Sequence, residues 1–320
     1  MSNNIGQKTL LVGAGLMAID YANVLVAQHV LFDVVGRGQG SAATFKEKTG
    51  VPVYTGGLEQ YFKENGLVYP SAIVAVSVEQ LAQTTILLLE KGFKRVLVEK
   101  PAGLNRDQIK EVARVAEKNN AEVYVAYNRR FYASTQKAQE IIDEDGGVLS
   151  FNFEFTEWSH VIEDLEKASG VKEQWFLANS THVADLAFYL AGKPKELVAY
   201  TAGGLSWHPS ASIYAGAGVS EQGALFSYQA NWEAPGRWRV EVLTSKHRLV
   251  FCPMEQLHIQ RIGTVSVEMV QLDDELDRKF KPGLYQQVQV FLGDEKKGLL
   301  DIAGQYAMVK NCYETISGKG

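Results

Sequence analysis

Thr9-Leu10-Leu11-Val12-Gly13-Ala14-Gly15-Leu16-Met17-Ala18 decides the fold. An apolar run feeds into a glycine turn. Apolar residues then recur at helical spacing through Ile19, Ala22, Val24, Leu25 and Val26, so the order is strand, turn, helix. The turn has the form G-x-G-x-x-A. Gly13 permits the tight bend, Gly15 lets backbone approach a pyrophosphate, and Ala18 is small enough for close packing of helix on sheet. A phosphate there meets unpaired N–H groups and the positive end of the helix dipole, which makes Gly13, Ala14, Gly15, Leu16 and Met17 candidate cofactor contacts.

A second strand, Leu31 to Val35, runs into Gly36-Arg37-Gly38-Gln39-Gly40-Ser41. An NAD site usually places an acidic residue at this strand end, whereas an arginine accepts a 2′-phosphate. Arg37, with Ser41 as a second phosphate contact, therefore predicts NADP as cofactor, with NAD as the alternative. The alternation continues with strands over Val51–Tyr54, Ala72–Val78, Arg95–Glu99 and Glu122–Tyr127. Helices fall over Leu58–Asn65, over Gln80–Lys91 and from an Asn105/Gln108 capping arrangement to about Asn119. Such alternation implies a doubly wound parallel sheet, an α/β Rossmann domain over residues 1–126. Ligands bind beyond the carboxyl ends of its strands, which puts the glycine turn, Arg37, Ser77, Glu99-Lys100-Pro101 and Tyr127-Asn128-Arg129-Arg130 along one rim.

From Phe131 the pattern changes to period two, first in Val148–Trp158 and then in Glu196–Thr201, Gly223–Trp232, Arg237–Thr244, Arg248–Cys252, Gln256–Ile262 and Val265–Leu272. This predicts an α+β domain over residues 127–320, with a large, mostly antiparallel open sheet. Helices over Ala178–Leu190, Leu284–Leu292 and Leu299–Thr315 cover one face. The other face is free for sheet-on-sheet association into a homodimer or homotetramer. On the first of these helices Asn179, His182 and Asp185 stand at i, i+3 and i+6 on one side, while Phe176, Val183, Leu186 and Leu190 face the core.

A chain of 320 residues exceeds one ordinary core, and 46% hydrophobic with 22% charged residues is usual for a globular protein. A net charge of −5 argues against nucleic acid as a partner. Cys252 and Cys312 are too few and too far apart for a disulfide framework or a zinc site, so no metal is expected. Met1–Thr9 lacks the build of a secretory signal, and no run approaches the roughly 18 apolar residues that span a bilayer. The expected location is cytoplasmic, without membrane contact.

Four motifs together, Gly13–Ala18, Glu99-Lys100-Pro101, Tyr127-Asn128-Arg129-Arg130-Phe131 and Ser180-Thr181-His182-Val183-Ala184-Asp185-Leu186, resemble the glucose-fructose oxidoreductase / inositol dehydrogenase (Gfo/Idh/MocA) family in order and spacing. The resemblance spans nearly the whole chain and is weakest between Leu205 and Gln222 and through the later strands. It implies a nicotinamide-binding domain and a second domain whose helix brings a histidine to Lys100. Lys100 then matches the family's catalytic lysine, and His182 the histidine that ends its Asp-x-x-x-His motif. Ala178 stands where the aspartate would be, a departure that points toward sugar-nucleotide branches. Another follows the fourth strand, where Val78-Glu79-Gln80-Leu81-Ala82 replaces a proline and asparagine followed by a histidine.

The implied reaction is hydride transfer between nicotinamide and a carbinol or carbonyl carbon of a sugar, polyol or nucleotide-linked sugar. It needs a group that moves the hydroxyl proton. His182 is read as proton acceptor, with Lys100 binding the reacting oxygen and Pro101 fixing its direction. Arg130, Trp158, His160, Trp175 and Asn179 are the expected substrate contacts, and Ser77, Glu99, Lys100, Pro101 and Asn128 flank the cofactor. Two other accounts compete. One is a catalytically silent NADP-binding sensor, motivated by the missing aspartate; the other is an oxidoreductase that retains its cofactor and recycles it between two sugars.

Overall fold

The computed structural model describes residues 8–65 and 69–319; the N-terminal stretch read for a leader lies outside these as far as Gln7. The chain forms two compact units. One comprises the described residues up to Asn128 with Leu276–Tyr306, the other Arg129–Glu275 with the segment from Ala307 onward. A single cut after residue 126 is therefore too simple, because the chain returns to its first unit after leaving it.

In the first unit β1 (Thr9–Val12), β2 (Phe32–Val35), β3 (Ser71–Val74), β4 (Arg95–Glu99) and β5 (Glu122–Ala126) lie in the order β2-β1-β3-β4-β5, all parallel. Leu11 pairs with Val34 on one side and Ile73 on the other, and all three are fully buried. These continuous apolar runs need cover on both faces. The helix Leu16–Ala27 packs Ala18, Tyr21, Ala22 and Leu25 into that core. So does Leu284–Leu292, through Leu284, Val288 and Phe291. That helix was expected over the antiparallel sheet, but its apolar stripe joins the parallel-sheet core.

Two further expectations change in this unit. Val51–Tyr54 is reduced to one bridge, between Val35 and Tyr54, since Pro52 interrupts the run and cannot donate to a ladder. Leu300–Asp301 opens the stretch read as a last helix, and it adds an antiparallel edge strand beside β5. The helix Arg106–Lys118 begins as expected: Asn105 Oδ1 accepts from Gln108 N at 3.0 Å, and Gln108 Oε1 accepts from Leu104 N at 2.8 Å.

The second unit is built on an eight-stranded sheet of β6 (Ser150–Glu154), β7 (Pro194–Ala202), β8 (Ile213–Ser220), β9 (Leu225–Asn231), β10 (Arg239–Leu243), β11 (His247–Phe251), β12 (His258–Arg261) and β13 (Glu268–Met269). Its order is β13-β12-β11-β10-β6-β9-β8-β7, antiparallel throughout except for β6 beside β9. One face is aromatic and buried. Phe188, on the helix Thr181–Ala191, meets Phe151, Phe153 and Phe226 edge-on at 5.8, 5.5 and 5.3 Å. The other face leaves Val198, Tyr200 and Leu225 exposed. The final turn, Glu314–Ile316, packs on β7.

One buried ion pair pins the helix Thr181–Ala191. Arg130 Nε donates to Asp185 Oδ2 at 2.7 Å and its Nη2 to Oδ1 at 2.6 Å, with the guanidinium 4.7 Å from the centre of the Tyr189 ring. Asp185 is 2% exposed, so its charge depends on that fork. Arg130→Met should lower stability by about 3–5 kcal/mol, by leaving a buried carboxylate unpaired. Arg130→Met/Asp185→Leu should recover most of the loss in denaturant unfolding. Equal losses in the single and double variants would show that the pair does not carry the effect.

Candidate functional site

The first unit contains a cleft of about 850 Å³ at the carboxyl ends of β1, β2 and β3. Gly13 makes the bend at φ +124°, and a Cβ there would lie 2.2 Å from the Ala75 carbonyl oxygen, so only glycine fits. Gly15 is extended at the N-terminus of the helix Leu16–Ala27, where no side chain caps the first N–H groups. An added Cβ at Gly15 would meet nothing within 4 Å. Donors without a cap beside open space are what a phosphate requires. Leu16 is 75% exposed beside that opening.

Arg37 and Ser41 line the same cleft. The Arg37 backbone is held by its carbonyl, which accepts from Gly56 N at 3.2 Å, while Gly57 N donates to Gly36 O at 3.0 Å. Gly57 sits at φ +82°, and a Cβ there would be 3.5 Å from Arg37 Cγ. Arg37 is exposed and forms no ion pair among the described residues. Ser41 Oγ donates to Gly38 O at 3.1 Å. Ser77 also lines the cleft and donates to Glu79. Gly56, Gly57, Glu59, Gln80, Gln83 and Thr84 also line it and escaped sequence reasoning, because the segment carrying the first three has no strand pattern.

On the same rim Lys100 follows β4. The peptide bond to Pro101 is cis, Ala102 stands at φ +74°, and Ala102 N donates to Glu99 O at 3.0 Å. Gln305, fully buried, donates from Nε2 to Pro101 O at 3.1 Å and to Tyr127 Oη at 3.2 Å. It thereby clamps the lysine turn, and no local signal marks a residue two hundred positions away. Glu99 accepts from Tyr21 Oη at 2.7 Å. Desolvation pushes the Glu99 carboxyl above its usual range, against the pull of Tyr21, Lys100 and Lys281. Expected beside the cofactor, Glu99 holds the base of the lysine turn to the helix Leu16–Ala27. Asn128, also expected there, is buried and donates to Pro282 O at 2.9 Å, tying the returning segment to the sheet.

In the second unit His182 is 8% exposed, its ring 6.1 Å from that of Trp238. It follows a π-helical turn, Phe176–Ser180. Such turns are rare and frequent at functional sites. Asp185 takes Arg130, and Asn179 Nδ2 donates to Glu157 Oε1 at 2.9 Å. Glu157 also accepts from Ser180 Oγ at 2.6 Å and Arg237 Nη1 at 3.1 Å. Burial raises the Glu157 carboxyl above its ordinary range, opposed by Ser180, Arg237 and Asn179. Phe176, Val183, Leu186 and Leu190 are buried, as expected.

Aromatic and guanidinium groups alternate beside His182. The Arg237 guanidinium lies 4.7 Å from the Trp158 ring centre and 4.5 Å from that of Trp238, and the Arg129 guanidinium lies 4.8 Å from Trp238. Trp158 is half exposed and donates to Gly236 O at 3.1 Å. Trp175 is instead a core residue, 7% exposed and edge-on to Trp207 at 6.0 Å. His160 is exposed on the short helix Ser159–Ile162, away from this group's contacts. Arg130, expected at the substrate rim, has its fork filled by Asp185; its neighbour Arg129 joins the cluster. Sequence reasoning missed Glu157, Arg237 and Trp238, because β-strand ends carry no fixed spacing to a distant helix.

The first unit thus offers phosphate-binding backbone, an exposed arginine and a clamped lysine, a fit to a nicotinamide dinucleotide. The second unit offers a histidine, a buried carboxylate and stacked cations. Among the described residues no group of three or more His, Cys, Asp or Glu could hold a metal, and no helix is long and apolar enough to cross a membrane.

Comparison with known proteins agrees with this geometry. A sequence model of the oxidoreductase family with NAD-binding Rossmann fold matches residues 7–127. Trans-1,2-dihydrobenzene-1,2-diol dehydrogenase of Mus musculus is 28% identical over 136 residues, a stretch covering 41% of this chain and 40% of that protein. Among solved structures, levoglucosan dehydrogenase in complex with NADH aligns at TM-score 0.78 and 17% identity, covering 98% of this chain and 96% of its own. UDP-N-acetylglucosamine 3-dehydrogenase from Acidithiobacillus ferrooxidans aligns at TM-score 0.74 and 14% identity, covering 98% of both. At such identities these two likenesses show the fold. Residues 7–127 thus match the NAD-binding Rossmann-fold model of the Gfo/Idh/MocA oxidoreductase family, and the fold likeness extends over 98% of the chain.

Proposed function

We propose that this protein is an NADP-preferring dehydrogenase that oxidises a carbinol carbon of a sugar, polyol or nucleotide-linked sugar, or reduces the corresponding carbonyl. The observation that carries the proposal is the rim of the parallel sheet: an uncapped helix N-terminus over Gly13 and Gly15, and a lysine turn clamped by Gln305 two strands away. The relatives are dehydrogenases, and levoglucosan dehydrogenase is a sugar enzyme by its name. When bound, nicotinamide supplies the hydride acceptor or donor. The protein's own residues bind and orient the substrate and move its hydroxyl proton.

Each residue has one task in this proposal. Lys100 binds the reacting oxygen and stabilises charge that develops on it. His182 accepts the hydroxyl proton, since imidazole exchanges protons near neutral pH. Trp158 and Asn179 contribute to substrate contact. Gly13–Met17 cradle the phosphates, and Arg37 with Ser41 takes a 2′-phosphate. The exposed sheet face associates with a second copy, giving a dimer or tetramer.

With a working substrate, Lys100→Met and His182→Asn should each lower kcat by about 10²–10⁴-fold, with the dissociation constant for reduced cofactor within a few-fold of wild type. Steady-state rates and calorimetric titration check this, and turnover surviving the loss of both side chains would sink the assignment. Arg37→Ala should reduce the NADP-over-NAD preference in kcat/KM by about 10–100-fold, the worth of a charged hydrogen bond. Glu59→Gln, on the same cleft, should shift it the other way. An unchanged ratio in Arg37→Ala would remove Arg37 from the site.

A further inference from the structure

The second unit pairs its arginines with carboxylates almost throughout. Arg130, Arg237, Arg239, Arg248 and Arg261 each meet an Asp or Glu within ion-pair distance. Arg129 meets none among the described residues. Its Nε is sealed from water and has no hydrogen-bond partner, while its terminal nitrogens are not sealed. The guanidinium is held by rings alone, 4.8 Å from the centre of Trp238 and 5.8 Å from that of Tyr132. Trp238 Nε1 is likewise buried without an acceptor.

A guanidinium drawn out of water without a counter-charge is costly, and proteins normally supply one. The nearby charges do not. Desolvation and Arg237 both disfavour the Arg129 charge; Tyr132, Glu255 and Glu157 favour it. Glu255 is exposed, and Glu157 is already shared among Ser180, Asn179 and Arg237. Two guanidinium groups on one indole against one committed carboxylate leave the cluster positive. His182 lies on the same indole at 6.1 Å. A planar fork held over an indole suits an oxyanion better than a neutral hydroxyl.

Resting on the dehydrogenase assignment above, we propose that the substrate carries an oxyanion, a carboxylate or a phosphate, and that Arg129 binds it on the face of Trp238 with Arg237 as the second positive charge. Arg129 is then a specificity residue: it selects acidic sugars, sugar phosphates or sugar nucleotides over neutral sugars. Glu157, 3.1 Å from Arg237 Nη1, positions Arg237.

The test uses the full chain saturated with reduced cofactor, and calorimetric titration with glucose, glucuronate, glucose 6-phosphate and UDP-glucose. At least one of the three anionic probes should bind tenfold or more tighter than glucose. Arg129→Met should weaken that probe by about 10–100-fold while leaving glucose unchanged. Arg129→Lys, which keeps the charge without the fork, should fall between and guards against misfolding of the methionine variant. Which probe responds separates a carboxylate from a phosphate source. Equal binding of all four probes, or an anionic preference that persists in both variants, would overturn the inference. Binding is read without turnover, so anion selection through Arg129 in a protein that never transfers hydride would leave this inference standing and refute the dehydrogenase assignment.

Discussion

The approach of Gly13 to the Ala75 carbonyl governs the nucleotide rim. A Cβ at Gly13 would come within 2.2 Å of that oxygen, so β1 and β3 can diverge into their turns only around a residue without a side chain. Divergence at this point is what opens a crevice at a topological switch, since the chain moves from β1 to β2 on one side and to β3 on the other. The helix Leu16–Ala27 then starts with its N–H groups uncapped at that crevice. Parallel pairing carries the constraint across the sheet. Because β1 to β5 all point one way, the phosphate turn, Arg37, Ser77 and Lys100 share an edge, and Gln305 from the returning segment holds the lysine turn to it.

In the second unit, chemistry follows from how buried charge is distributed. Arg129 and Arg130 are adjacent in a short 3₁₀ turn, Asn128–Phe131, yet have different fates. Arg130 is consumed by Asp185 and fixes the helix that bears His182. Arg129 lies against Trp238, beside His182 and Arg237. Glu157 commits its carboxylate to Asn179, Ser180 and Arg237, which keeps one cation in place and leaves the other without a counter-ion. Structural pairing and chemical availability are thus decided by which carboxylate each guanidinium can reach.

Much of this was legible in the sequence where the signal is local. The glycine turn, the Asn105 cap and most of the alternation of strand and helix are short-range patterns and appear where periodicity places them, while Val51–Tyr54 shrinks to one bridge. Most period-two strands of the second unit were equally plain, but Val265–Leu272 shrinks to Glu268–Met269, and β8 escaped because its Ile213-Tyr214-Ala215-Gly216-Ala217-Gly218 run is rich in small residues of low strand propensity. Long-range partnerships were not legible. Nothing near Leu284 says that its helix joins the parallel-sheet core, and nothing near Pro101 announces Gln305. Asn179, in the π-turn before His182, bonds Glu157, and Asp185, on the helix that follows, bonds Arg130, partnerships that spacing along a helix does not reveal. Glu157, Arg237 and Trp238 were missed for the same reason: strand ends meet a helix only in three dimensions.

The most direct measurement is absorbance at the reduced-nicotinamide band while the full chain is offered NADP or NAD with a panel of neutral sugars, sugar acids, sugar phosphates and sugar nucleotides. The account predicts that reduced cofactor accumulates with at least one acidic or phosphorylated member, faster with NADP. Tight cofactor binding with no change at that band for any member, in either direction of reaction, would contradict it.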